Sequence, residues 1–147
     1  MPGTPDAITT VLGFDYGARR IGVAVGNALT GSARALEVIT NGTQGPDWTR
    51  VAGLVREWRP QVLLVGLPLT MDGEEQKNSA AARAFAVQLK ERFNLPANLI
   101  DERLSSVEAA QRFAQRRAGG SARRKHAQAL DSIAAEVIVE QWLRDNH

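Results

Sequence analysis

The chain has 147 residues, 44% hydrophobic and 23% charged, a composition that fits an ordinary globular domain with a real core rather than disorder. It has no cysteine and only two histidines, His126 and His147, which excludes disulfide scaffolds, thiolate nucleophiles and cysteine-based metal sites. The formal charge is +2, so any sign of a polyanionic partner has to come from where the cations sit rather than from their sum.

Residues 1–9, with two prolines and a glycine, are expected as a flexible tail, and residues 10–147 as a single domain. The amino terminus lacks a basic region followed by an apolar run. No apolar run approaches membrane-spanning length, so a cytoplasmic protein with no membrane partner is expected. Val11–Gly26 (VLGFDYGARRIGVAVG) joins two apolar runs through a glycine-containing, doubly basic link and reads as a β-hairpin. Asp15 closes the first run, where a carboxylate is either an Asx turn beside Gly17 or half of a site. Arg34–Thr40 fits a third strand and Asn41–Pro46 (NGTQGP) a loop.

Asp47 caps a predicted helix over Trp48–Arg59, which Pro60 stops. Gln61–Leu67 is a continuous apolar run, the mark of a strand buried on both faces. A loop follows over Pro68–Glu75, with a turn at Asp72-Gly73. Asn78 or Ser79 then caps a helix to about Phe93, with Ala82, Phe85, Ala86 and Leu89 inward. Leu99-Ile100 makes a brief strand. Ser105 or Ser106 caps a helix to about Arg117, Gly119-Gly120 breaks it, and a last helix covers Lys125–Arg144. Three strands followed by alternating helices and strands give one mixed α/β sheet covered by helices. Sites in such sheets lie at the carboxyl ends of strands, where Asp15, Pro68–Asp72 and Glu102 all fall.

Asp131 is the most informative acid. Its helical neighbours Ala127, Gln128, Ala134 and Ala135 include no cation, and the stripe Ala127, Asp131, Ala134, Ala135, Ile138 is small and apolar but for the aspartate. Small residues let a helix approach a sheet closely, which would carry that carboxylate into the interface; a surface aspartate beside alanines is the competing reading. Glu102, in Asp101-Glu102-Arg103, reads locally as a solvated loop acid. Together, Asp15, Glu102 and Asp131 arrive from distant segments with no cysteine or histidine to compete, a donor set for Mg2+ or Mn2+ rather than zinc. Two such ions, about 4 Å apart, suit phosphodiester hydrolysis.

Arg116, Arg117, Arg123, Arg124 and Lys125 flank the glycine pair, with no acid among them, and Arg19 and Arg20 lie in the hairpin link. A solvated helix end accounts for Arg116 and Arg117. Arg123–Lys125 sit against the dipole at a helix start and call for an anionic partner, for which phosphate is the natural choice. Gly13, Gly17, Gly22 and Gly26 form no dinucleotide fingerprint, since no helix follows. Ser105 lacks a histidine base, and Trp48, Trp58 and Trp142 occupy packing positions on helices.

The blocks GFDYGARRIGVAV, VGLPLTMDG, DERLSS and ARRKHAQALDSIAAEVI, in that order, resemble the YqgF family, known as Holliday junction resolvase-like proteins and pre-16S rRNA nucleases. The resemblance implies an RNase H-like fold, a five-stranded mixed sheet with helices on both faces. It implies a metal-dependent nuclease of ribosome biogenesis, with Asp15, Glu102 and Asp131 as catalytic and metal-binding acids. Structured RNA or branched DNA would be the partner of a monomer or weak homodimer. One departure is Asn27, where relatives often carry an aspartate, and this removes an acid expected near the site. Three other readings compete with an RNA nuclease: a DNA junction resolvase, a non-catalytic RNA-binding assembly factor, and an actin-like ATPase. The last closes on nucleotide between two lobes, and a single lobe is expected here.

Overall fold

A computed structural model describes residues 9–68, 79–101, 111, 114–115 and 126–145, with side chains of 126–130 excepted. The hairpin is formed by β1 (Thr10–Tyr16) and β2 (Arg20–Asn27), antiparallel with Asp15 opposite Gly22. Next come β3 (Ser32–Gly42), β4 (Gly45–Pro46), α1 (Trp48–Trp58), β5 (Val62–Leu67), α2 (Ser79–Phe93), β6 (Ala97–Asp101) and α3 (His126–Asp145). The sheet order is β4-β3-β2-β1-β5-β6, with β1, β5 and β6 parallel and the remaining pairs antiparallel.

The sheet therefore has six strands instead of the five expected. The extra one, β4, lies in the stretch read as a loop: Gly45 at φ +100 turns the chain so that Gly45 and Pro46 pair with Gly42 and Asn41. The helix after it begins as its sequence dictates. The Asp47 carboxylate accepts from Arg50 N at 3.1 Å, and the helix closes at Arg59 in the left-handed region (φ 49). The helix expected after Ser105 lies outside the described residues except at positions 111, 114 and 115, which are helical. Pro68–Glu75 is described only at Pro68, whose carbonyl accepts from the buried Ser79 hydroxyl at the start of α2.

Strand alternation divides the sheet into two faces. Leu12, Phe14, Ile21, Val23, Leu63 and Val65 turn to α1 and α2, where Val51, Leu54, Ala82, Phe85, Ala86 and Leu89 meet them. Val11, Ala24, Val62 and Leu64 turn to α3 and pack on Ala135, Ile138, Val139, Trp142 and Leu143. All of β5 is buried, as a strand covered on both faces must be. Ala134 departs from the expected stripe and joins Ile133 and Val137 in a separate buried cluster. Asn27 is at the far end of β2 from Gly22, five residues or about 17 Å along the strand. There its Oδ1 accepts from Leu29 N and Thr30 N, so position 27 serves a turn and is not in the neighbourhood of Asp15. Among the described residues no helix is long and apolar enough to cross a membrane.

Candidate active site

The α3 face of the hairpin is paved with small residues. A Cβ placed on Gly13 or Gly26 would come within 2.3 Å of a Val139 methyl, and one on Gly22 within 2.0 Å of the Asp131 carbonyl oxygen. The Gly22 contact is backbone on backbone, and no side-chain rotation could relieve it. Glycine at position 22 is thus the condition for α3 to lie on the sheet at that point. What it brings there is Asp131.

Asp15 is directly across from Gly22 in the β1–β2 ladder. Gly13 faces Val139 of α3 and Phe14 belongs to the opposite core, so alternation turns Asp15 to the α3 face as well. Asp15 and Asp131 therefore lie on the same side of the sheet, both half-buried, at the end where β1, β5 and β6 finish. The β1–β5 pairing ends with Phe14 opposite Val65, one residue before Asp15, while β5 and β6 continue to Gly66 opposite Ile100 and Leu67 opposite Asp101. Glu102 follows Asp101 in the chain and lies outside the described residues, as do Arg116, Arg117, Arg123, Arg124 and Lys125.

The two described arginines of the link are not alike. Arg19 is exposed. Arg20 turns back across the ladder, its Nε donating to Asp131 Oδ2 at 2.8 Å, and the two side chains remain 42% and 26% exposed. So the cation that α3 does not supply to Asp131 comes from β2. The link itself is tightly held: Gly17 N donates to the Arg20 carbonyl at 3.0 Å, and a Cβ on Gly17 would come within 2.6 Å of that same oxygen.

Two polar residues that sequence reasoning passed over shape this end and the helix above it. Asn41, read as a loop residue, is 5% exposed. Its Nδ2 donates to the Gly17 carbonyl at 2.7 Å and its backbone N to the Arg19 carbonyl at 2.9 Å, which ties the link to the end of β3. Nothing in NGTQGP distinguishes such an asparagine from a turn former. Glu136 is 6% exposed on α3, and its Oε2 accepts from Ala35 N at 3.3 Å. A bulge puts Val23 opposite Glu37 and Ala24 opposite Ala35, leaving Leu36 as the extra residue beside that amide. A single carboxylate within Ile133–Val139, otherwise wholly apolar, was the available signal.

For a metal, the described donors are two carboxylates on one face, an all-oxygen set that suits Mg2+ or Mn2+ and not zinc. Among the described residues no group of three such ligands is assembled. The pair fits a cation that keeps several waters and takes a further acid from elsewhere.

The family model described as RuvX, Holliday junction resolvase, matches residues 9–145. A protein of Xanthomonas campestris pv. campestris (strain B100) named "Putative pre-16S rRNA nuclease" is 59% identical over 139 residues, covering 95% of this chain and 88% of its own. A Xanthomonas oryzae pv. oryzae (strain PXO99A) relative of the same name is 60% identical over 134 residues, 91% of this chain and 86% of its own. Among solved structures, Thermus thermophilus RuvC with a Holliday junction substrate superposes with a TM-score of 0.56 at 19% identity, covering 94% and 96% of the two chains. The fowlpox virus resolvase with junction DNA gives 0.59 at 11% identity, covering 93% and 98%. At such identities these two structures establish a shared resolvase-type, RNase H-like fold.

Proposed function

The chain belongs to the RuvX family of Holliday junction resolvases, and from that premise we propose that it is a divalent-metal-dependent nuclease that processes the 5′ end of precursor 16S rRNA. The observation that carries this reading is the placement of Asp15 and Asp131 on the α3 face, across Gly22, at the end where the parallel strands finish.

In this reading Asp15, Asp131 and Glu102 hold Mg2+ or Mn2+, two ions in the working complex. A divalent cation held there would supply activation of water and counter-charge for the leaving oxygen. The chain's own residues do the rest. Asp15 and Asp131 offer carboxylate oxygens from rigid elements, a strand and a helix locked together through Gly22. Arg19 and Arg20 meet the substrate backbone beside them, and Arg116, Arg117, Arg123, Arg124 and Lys125 extend the cationic track. Contacts of this kind give salt-dependent binding and position the substrate without reading its sequence. The protein acts in the cytoplasm, as a monomer or weak homodimer. The close relatives, named for rRNA, favour RNA as substrate, and the resolvase description of the family makes branched DNA the competing one.

The test is cleavage of end-labelled pre-16S leader RNA with Mn2+, beside a four-way DNA junction, by wild type and Asp15→Asn. The expected result is RNA cleavage that EDTA stops and that Asp15→Asn reduces more than about 100-fold, a larger loss than typical for an outer-shell partner. Preferred cutting of the junction would move the assignment to a resolvase. RNA binding without cleavage by either protein would make it an assembly factor.

A further inference from the structure

Arg20 presents two chemically distinct edges. Its Nε edge is engaged with Asp131 Oδ2, while among the described residues its terminal Nη groups make no hydrogen bond. Both ends of that contact are anchored on backbone. Arg20 starts β2 after a link held by the Gly17–Arg20 hydrogen bond and by Asn41. Asp131 is fixed by the seat of α3 on Gly22. A guanidinium held this way cannot turn freely, so its remaining donors stay beside the Asp131 carboxylate.

We propose that Arg20 has two separable roles, one on each edge: Nε positions Asp131 as a cation ligand, and the Nη groups take a phosphate of the substrate. The proposal rests on the metal-dependent nuclease reading and deepens it. Simple charge balance at Asp131 would ask only for a cation, and lysine would serve. A carboxylate that must keep one oxygen free for a metal asks instead for a directional donor on the other oxygen. A half-exposed ion pair has little stabilising value of its own, which leaves orientation as the use of this one. Among the described residues Asp131 Oδ1 accepts no hydrogen bond, and it is the oxygen left for the cation.

Side-chain chemistry separates the two roles. In Arg20→Gln the amide Nε2 stands as many bonds from Cα as the arginine Nε does, so the donor to Asp131 persists while the charge and the Nη groups go. In Arg20→Lys the charge persists, but a methylene occupies the Nε position. Mn2+ binding without substrate, read by electron paramagnetic resonance, reports the first role. Binding of leader RNA in EDTA reports the second. Arg20→Gln is expected to keep Mn2+ affinity within about threefold of wild type and to weaken RNA binding about tenfold, whereas Arg20→Lys does the reverse, losing about tenfold or more in Mn2+ affinity. Parallel changes in both measurements for both variants, or none in either, would overturn the proposal. Asp131→Asn is the control that tells the two failures apart. If it binds Mn2+ as wild type does, the metal reading itself has failed. If it loses Mn2+ while the two Arg20 variants behave alike, only the division of roles has.

Discussion

The two faces of the sheet are built on opposite principles. Toward α1 and α2 the chain is bulky and aromatic: Phe85 packs at 5.5 Å from Phe14, 5.1 Å from Tyr16 and 5.4 Å from Trp48 between ring centroids. Toward α3 the hairpin offers Gly13, Gly22, Ala24 and Gly26. The first face buries large side chains and contributes stability through transferred apolar area and dense packing. The second gives up that area, and the close approach it allows seats one helix, with its aspartate, beside Asp15. One face holds the protein together and the other sets the geometry of a site.

If that division is right, damage to the two faces has different symptoms. Phe85→Ala removes the centre of the aromatic cluster and is expected to lower stability by about 3–5 kcal/mol in denaturant unfolding. Its cleavage rate per folded molecule should stay close to wild type, because the seat of α3 on Gly22 lies on the opposite face of the sheet. An equally large loss of rate would show that the bulky face also sets the site. Gly22→Ala works from the other side. Its Cβ would meet the Asp131 carbonyl at 2.0 Å, so α3 has to lift, at an expected cost of about 3 kcal/mol, the upper end for overpacking. Because the lift displaces Asp131, cleavage should fall about 100-fold even in the fraction that remains folded. A Gly22→Ala protein with unchanged activity would mean that the close approach serves packing alone.

The legibility of these features followed the range of the interactions behind them. Apolar runs and their link identified the hairpin and the doubly buried β5, and helical spacing the inner face of α2, since each is a pattern within one segment. Asp131 was legible for the same reason, as the one acid in a stripe of small residues. Its partner was not: Arg20 is 111 residues away and belongs to another element. Asn41 reads as a turn former because its service to Gly17 exists only once β3 has folded against the hairpin. The two-residue β4 depends on a glycine at φ +100, a conformation that composition permits without requiring. Glu136 was passed over although it is the lone acid in an apolar run, because its purpose, the Ala35 amide at a bulge, depends on a contact 101 residues away. Local chemistry is written in sequence, and tertiary satisfaction of polar groups largely is not.

The most direct test of the central claim, that Asp15 and Asp131 form one cation site, is a double-mutant cycle on Mn2+ affinity. Asp15→Asn, Asp131→Asn and the double variant would be titrated alongside wild type under identical conditions. Each single change is expected to weaken binding at least about tenfold, and the double to be scarcely weaker than either, because the residues act as a unit. Two independent, additive losses, or none in either single variant, would contradict a shared site.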